Sequence, residues 1–214
     1  GGYVNGVLAA KLTKSKKIGV TGPIEVGDAK TYIDGFLQGV QSVDKSMAVA
    51  KTWTGSFSDV ALMTEAAKTH IASGADILTG SSQSVVGSIG AAKGKGGVLW
   101  FGTQFDQASL APALVVASQA YDWSGMVKEI IAKHKAGVLG GLTYVLTLEN
   151  GGLKGLPRGI AFRLLEAGGV IDRRDVERDL AALSQVERRT LKTFAIRVGV
   201  HSVWLPGALK PRAR

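Results

Sequence analysis

Short apolar runs alternate with longer segments of helical periodicity over the first 150 residues. Four to eight apolar or alternating residues between glycines or polar residues favour a β-strand, and apolar residues at every third or fourth position favour a helix. The predicted strands are 17–22, 47–54, 75–79, 97–102, 115–119 and 143–148. The predicted helices are 3–14, 28–40, 59–72, 85–92 and 124–135. Strands that alternate with helices predict a parallel sheet with right-handed crossovers, and therefore an α/β fold.

Two of the predicted helices begin at an aspartate. Asp28 is expected to cap the first, and Ser58 or Asp59 the second, because a side-chain oxygen accepts hydrogen bonds from the free N–H groups of a first turn. The apolar face expected for the helix after Asp28 is Tyr32, Phe36, Leu37 and Val40. The face expected for the helix after Asp59 is Ala61, Leu62, Glu65, Ala66 and Thr69.

The pattern changes after the glycine-rich stretch 151–155. Segments 158–167, 172–183 and 185–195 have the charged amphipathic pattern of short helices, and 200–205 reads as a short apolar strand. We therefore predict two parts, a domain over residues 1–153 and a small, mainly helical appendage over residues 156–214.

Charge supports the same division. The formal net charge is +9, and residues 1–150 contain 13 Lys and no Arg, whereas residues 151–214 contain 10 Arg and 3 Lys. Arginine and lysine carry the same charge, so folding physics does not demand so abrupt a change. The change indicates two segments of different origin.

The chemistry of catalysis and metal binding is missing from the pattern. The absence of cysteine excludes disulfides, thiolate ligands and a lipid-anchoring cysteine within these residues. The histidines lack carboxylate neighbours at metal-site spacing, and we expect His70 and His134 on the surface. No phosphate-binding loop or Gly-x-Ser-x-Gly turn is complete. We predict a binding protein without catalytic residue, metal or cofactor. There is no run of about 18 apolar residues, so we also predict no transmembrane segment.

Ligands of an open parallel sheet bind beyond the carboxyl ends of its strands. The loops expected there supply aromatic rings for stacking and polar groups for hydrogen bonds. The candidate ligand-binding residues are Trp53, Phe57, Ser82, Gln83, Gln104 and Asp106. Three of them also have a structural interpretation, which is core packing for Trp53, a helix cap for Ser82 and its neighbouring serines, and a turn cap for Asp106.

Five segments in order carry a family resemblance: YVNGVLAAKLTKSKKIGV, WTGSFSD, ASGADIL, FGTQFDQASLAP and ASQAYDWS. Together they are similar to the basic-membrane-protein family of ABC-transporter substrate-binding lipoproteins, which includes purine nucleoside receptors. The resemblance covers residues 1–153. It implies a type I periplasmic-binding-protein fold with two Rossmann-like lobes, a ligand held in the cleft, and delivery to a membrane permease.

The resemblance also implies roles for individual residues. In such receptors a loop aromatic stacks on the base, and acidic loop residues bind sugar hydroxyls; Phe57 and Asp106 match these positions. Gln104 stands where many members have Asp, and Tyr121 where many have Lys. Both differences remove a charge, so the implied ligand is a nucleoside or another small, neutral, hydroxylated molecule.

Members of the family usually begin with a signal sequence, a lipobox cysteine and most of the first lobe. By comparison, we expect this chain to hold an incomplete lobe and to bind ligand weakly, because a cleft with one wall loses contacts while the entropic cost of association remains. The parent family is periplasmic or membrane-anchored. Without signal or lipobox, the compartment of this chain stays open and includes the cytoplasm.

The last segment resembles a different family. LPRGIAFRLLEAGGVIDRR and LSQVERRTLKTFAIRVGVHSVWLPGALKP are similar to the carboxyl-terminal region of alphaproteobacterial helicases related to the mitochondrial RNA helicase. The alternative function is therefore a nucleic-acid-associated module in which Arg188, Arg189 and Arg197 contact phosphates. These arginines equally suit a solvated helical surface. A cytosolic ligand sensor is a third hypothesis, and the chain lacks a helix-turn-helix segment for it.

Overall fold

The computed structural model of the protein describes residues 1–147 and 150–157. The chain divides into two units, Gly1–Gly155 and Leu156–Arg214. The helices and apolar strand predicted within residues 158–214 lie outside the described residues, as do Arg188, Arg189 and Arg197.

Helices and strands alternate along the described chain. The helices are α1 (Gly2–Leu12), α2 (Gly27–Val43), α3 (Val60–Ala72), α4 (Val85–Lys95) and α5 (Ser124–Lys135). The strands are β1 (Lys17–Gly22), β2 (Ala48–Trp53), β3 (Ile77–Gly80), β4 (Leu99–Gly102), β5 (Val115–Tyr121) and β6 (Leu153–Pro157). The prediction of a strand at 143–148 is wrong over 143–147, which have no regular structure. The last strand instead follows the Asn-Gly-Gly turn.

All six strands form one sheet in the order β2-β1-β3-β4-β5-β6. The pairs β1–β2, β1–β3, β3–β4 and β4–β5 are parallel, which confirms the predicted α/β class. The chain moves outward from β1 to β2 and then returns to β3 on the other side of β1. Such a reversal opens a crevice at the carboxyl ends of β1 and β3, where open parallel sheets bind ligands.

One face of the sheet packs against α3 and α4 through an apolar cluster. Its largest members are Met63, Leu78, Val85, Ile89 and Trp100, all almost fully buried. Asp59 caps α3 as predicted, because its carboxylate accepts a hydrogen bond from the Leu62 N–H at 3.0 Å.

The buried face predicted for α3 is largely wrong. The buried residues are Met63, Ala66, Ala67 and His70, whereas Leu62 is 45% exposed. Alanines occur around much of this helix, so the apolar pattern alone does not define its phase. His70, which was expected on the surface, is 3% exposed. It packs on Gly19 of β1, where a Cβ would lie 2.6 Å from the His70 Cβ.

The other face of the sheet packs against α1 and α2. The two helices approach closely at glycines, since a Cβ on Gly6 would lie 2.1 Å from the Phe36 carbonyl oxygen. Tyr32, Phe36 and Val40 are buried as predicted, while Leu37 is half-buried. The prediction that Asp28 caps α2 is wrong. The helix begins after Val26 without a side-chain cap, and Asp28 lies in its first turn.

Helix α5 has the predicted bounds but buries no residue within the described part of the chain. Its apolar side chains Val127, Ile130 and Ile131 are each more than 40% exposed. Among the described residues, no helix combines the length and the apolar character that crossing a membrane requires.

Candidate ligand-binding site

The loops at the carboxyl ends of β2, β3 and β4 meet at one edge of the sheet, together with the end of β5. Ser82, after β3, donates a hydrogen bond to the Phe57 carbonyl oxygen at 2.6 Å. Gln104, after β4, donates a hydrogen bond from its side-chain Nε2 to the Ser81 Oγ at 3.4 Å. Its backbone carbonyl oxygen accepts a hydrogen bond from the Tyr121 N–H at 3.3 Å. We call this row of loops the carboxyl edge.

Phe57 projects from a loop whose backbone is held in place. The residue is 41% exposed, while its carbonyl oxygen accepts hydrogen bonds from the Ser82 hydroxyl, the Gln83 N–H and the Ser84 hydroxyl. Ser82 is 2% exposed and also shares a 2.8 Å hydrogen bond with the Ser84 hydroxyl. Ser82 therefore acts as a support for the Phe57 loop. It is not a helix cap, because no side chain caps α4.

Trp53 packs at the end of β2. A Cβ on Gly22 would lie 2.2 Å from the Trp53 Cζ3, so the ring covers this glycine closely. The Lys51 Nζ lies 5.5 Å from the ring centroid. These contacts agree with the packing interpretation of Trp53.

The remaining candidates lie in the loops after β3 and β4. Gln83 is exposed. Gln104 is half-buried and has φ of +76°, a left-handed conformation that a residue with a Cβ rarely adopts outside functional or tightly constrained loops. Asp106 is exposed, and its Oδ1 accepts a hydrogen bond from the Ala108 N–H at 3.1 Å. That contact is the turn cap that the structural interpretation anticipated.

Asp28 and Tyr121 lie outside the candidate set drawn from the loops, although the family resemblance pointed to position 121. The Tyr121 hydroxyl donates to the Asp28 Oδ2 at 3.5 Å. Burial, and then the Asp28 charge, raises the pKa of Tyr121, so the phenol stays protonated at neutral pH. Asp28 lies a few residues beyond the end of β1. A residue at that position in the sequence could have been predicted to lie at the carboxyl edge, had it not been assigned to a helix cap.

A β-bulge explains why Tyr121 faces this way. The pairing of β4 with β5 shifts between Trp100 and Phe101, so that Phe101 lies opposite Ala117. An extra residue in one strand changes the face on which the following side chains lie. Gln119 and Tyr121 consequently face α1 and α2. Gln119 accepts a hydrogen bond from the Thr103 hydroxyl at 2.9 Å, and its buried Nε2 has no partner within the described residues.

A buried polar network lies directly beneath the carboxyl edge. The Asn5 Nδ2 donates to the Tyr32 hydroxyl at 3.0 Å and to the Gly102 carbonyl oxygen at 3.1 Å. The hydroxyls of Tyr32 and Thr79 lie 2.9 Å apart, and Thr79 donates to the Phe101 carbonyl oxygen at 2.8 Å. Burial raises the pKa of Tyr32 to about 12, so its phenol is a neutral member of the network. The network ties α1 and α2 to the ends of β3 and β4.

Two further observations concern other kinds of site. Among residues 1–147 and 150–157, no three histidine, aspartate or glutamate side chains are grouped as metal ligands.

A groove of about 530 Å³ lies between the later turns of α3 and α4, beside Lys68, Ile71, Gly90 and Lys95. These turns lie toward the amino edge of the sheet, because crossover helices run back from the carboxyl edge. The groove is therefore separate from the residues described above.

Comparison with known proteins places the sequence in a family. The model of the Bmp family, described as ABC transporter substrate-binding protein PnrA-like, matches residues 1–156. The chain belongs to the Bmp family. The family match ends at residue 156 and does not cover the segment predicted to resemble helicases. The helicase-like segment at residues 156–214 is not supported by these comparisons and stays a prediction.

Curated Bmp relatives are similar at a distance. A purine-binding protein of Brucella abortus is 32% identical over 123 residues, which are 58% of this chain and 35% of the relative. The nucleoside-binding protein BmpA of Lactococcus lactis is 28% identical over 169 residues, 71% of this chain and 48% of the relative. Basic membrane protein D of Borreliella burgdorferi is 29% identical over 155 residues, which are 71% of this chain and 46% of the relative. The chain thus spans half or less of the length of these relatives.

Solved structures agree on the fold. A solute-binding protein of an ABC transporter system from Aeropyrum pernix K1 matches with a TM-score of 0.64 and 21% identity, over 98% of this chain and 53% of that protein. One from Conexibacter woesei matches with a TM-score of 0.59 and 22% identity, over 80% and 61%. The predicted periplasmic-binding-protein-like fold is confirmed.

Proposed function

We propose that this chain is part of the solute receptor of an ABC importer and binds a nucleoside, or a similar neutral hydroxylated molecule, at the carboxyl edge. The observation that carries the proposal is the exposed ring of Phe57, held by the buried Ser82 in the same row of loops as Gln104 and Tyr121. An exposed aromatic ring on a fixed loop is suited to stacking on a flat ligand.

The polar groups of the edge favour a neutral partner. Gln104 offers an amide, and Asp28 offers carboxylate oxygens to ligand hydroxyls. The nearby cations are already paired, Lys154 with Asp122, and Lys30 with Asp34 and Glu25. The names of two relatives, a purine-binding and a nucleoside-binding protein, point to the same ligand class.

The proposed partners follow from membership of the Bmp family. A substrate-binding protein of an ABC transporter delivers its ligand to a permease, and we place the receptor outside the cytoplasmic membrane for that reason. The alternative of nucleic-acid binding rests on Arg188, Arg189 and Arg197, outside the described residues. Steeply salt-dependent binding of single-stranded RNA by the full chain would favour that alternative.

Calorimetric titration of the full chain with adenosine, guanosine and inosine tests the proposal. We expect saturable binding of at least one nucleoside, and loss of stacking in Phe57→Ala should weaken it about tenfold or more. Phe57→Leu keeps apolar bulk and should lie between the two. Val43→Ala, which shortens an exposed side chain at the far end of α2, is the matched control. Absence of binding by all three nucleosides up to about 1 mM would refute the proposal.

A further inference from the structure

Helix α2 holds an acidic side chain at the carboxyl edge by a buried anchor. Asp28 and Tyr32 are four residues apart, so they lie on the same face of α2 one turn from each other. Tyr32 is 4% exposed, and its hydroxyl is fixed between Asn5 and Thr79. The anchor fixes the first turn of α2, and with it Asp28, over the ends of the central strands.

Few groups of the described residues donate hydrogen bonds to the Asp28 carboxylate. Its contact with the Tyr121 hydroxyl is long, at 3.5 Å, and the side chain is exposed. A carboxylate can accept about four hydrogen bonds, so most of this capacity is free for a ligand.

The charge of Asp28 also lacks an ionic partner. Within residues 1–147 and 150–157 it forms no ion pair, whereas Glu25 and Asp34 on either side of it in the sequence are both paired with Lys30. A further carboxylate at the end of β5, Asp122, is paired with Lys154. The negative charge next to Tyr121 is therefore not offset by a cation in contact with it.

We propose that Asp28 is a specificity-determining residue, whose carboxylate accepts a hydrogen bond from a hydroxyl or amino group of an uncharged ligand and repels a phosphorylated one. This inference rests on the proposed function and narrows it, since it assigns the site to nucleosides and excludes nucleotides. Tyr121 is a positioning residue in this arrangement because its phenol orients the carboxylate.

Titration of the full chain with adenosine and with adenosine 5′-monophosphate tests the inference. We expect the wild type to prefer adenosine. Asp28→Asn should reduce the ratio of the two association constants about tenfold, because it removes a like-charge repulsion and weakens one hydrogen bond. Asp28→Glu keeps the charge and should retain most of the ratio. Tyr121→Phe keeps the carboxylate but loses the phenol that orients it. This variant should bind adenosine more weakly than the wild type and should still bind adenosine in preference to the monophosphate.

Asp44→Asn is the matched control, since it removes the same charge at the far end of α2, away from the carboxyl edge, and should leave the ratio unchanged. Asp28 is exposed, so the thermal midpoint of Asp28→Asn should stay close to that of the wild type. An unchanged ratio in Asp28→Asn, with adenosine still bound, overturns the role of Asp28 and leaves the proposed function standing. Failure of the wild type to bind any nucleoside overturns the proposed function and this inference together.

Discussion

The two faces of the sheet support the carboxyl edge by different physical means. On the α3 and α4 face, an apolar cluster surrounds Trp100, and the loop that presents Phe57 is fastened by serine hydroxyls. On the α1 and α2 face, buried hydrogen bonds join Asn5, Tyr32 and Thr79 beneath Asp28. Apolar burial is non-directional and supplies stability, whereas a satisfied polar network specifies one arrangement of its members. Apolar side chains such as Phe36 and Val40 are also buried on the α1 and α2 face. Both faces therefore supply stability, and the polar network adds positional specificity beneath Asp28.

Trp100→Ala should have the largest effect on stability. The side chain is fully buried, and its Nε1 donates to the Gln107 Oε1 at 2.7 Å, so truncation leaves a cavity and removes the donor to a buried amide oxygen. We expect a loss of about 3–5 kcal/mol in the free energy of unfolding, measured in urea. Trp123→Ala removes a ring that is 50% exposed and should cost much less. A comparable loss in both variants would contradict the placement of Trp100 in the buried core.

Tyr32→Phe should rank second. It removes one hydroxyl from the polar network and leaves the Asn5 Nδ2 and the Thr79 hydroxyl with fewer partners. We expect a loss of about 1–3 kcal/mol in urea unfolding. Tyr3→Phe changes a residue that is 48% exposed and serves as the control. If Tyr32→Phe and Tyr3→Phe unfold at the same urea concentration, the network does not stabilise the α1 and α2 face.

Ser82→Ala should affect ligand binding more than stability. It removes the 2.6 Å hydrogen bond to the Phe57 carbonyl oxygen, at a cost of about 1 kcal/mol, and loosens the loop that presents the ring. We expect nucleoside affinity to fall about threefold to tenfold in calorimetric titration. Ser58→Ala, in the same loop, keeps the Phe57 hydrogen bonds and is the matched control. Equal affinities of the two variants would show that the serine support is not needed for binding.

His70 should produce the smallest effect at neutral pH, because its contribution appears only as a pH dependence of stability under acidic conditions. Burial lowers the pKa of His70, although a hydrogen bond with the backbone of Val20 acts in the opposite direction. The unfolded chain therefore binds a proton near pH 6.5, before the folded protein does. Stability should fall as the pH drops below about 6.5, by at most about 1.4 kcal/mol per pH unit. Urea unfolding at several pH values should show this slope in the wild type and a flatter one in His70→Gln.

Much of the fold could be predicted from local pattern. The bounds of β1 and α5, and the cap of α3 by Asp59, follow from apolar periodicity and turn chemistry over a few residues. The prediction of a strand at 143–148 was wrong because a short apolar run does not specify which strand it will pair with. β6 formed farther along the chain, where a neighbouring position beside β5 exists.

The candidate site was predictable only in part. Phe57 is an exposed loop aromatic, as the pattern indicated, but Trp53 and Ser82 are used for packing and support. Asp28 was assigned to a helix cap because an aspartate before an apolar pattern usually has that role. Its position beside Tyr121, 93 residues away, depends on a crossover helix and is invisible in either local segment.

By itself the sequence determined the alternation of strands and helices, the Phe57 loop and the family resemblance, since each depends on residues close together in the chain. Only the tertiary structure decided that α3 turns His70 inward, that Tyr121 faces α2, and that Asp28 reaches the carboxyl edge. These outcomes depend on the fit of distant backbones at Gly19 and on a bulge between β4 and β5. Side-chain facing is a property of paired elements, so a single segment does not contain it.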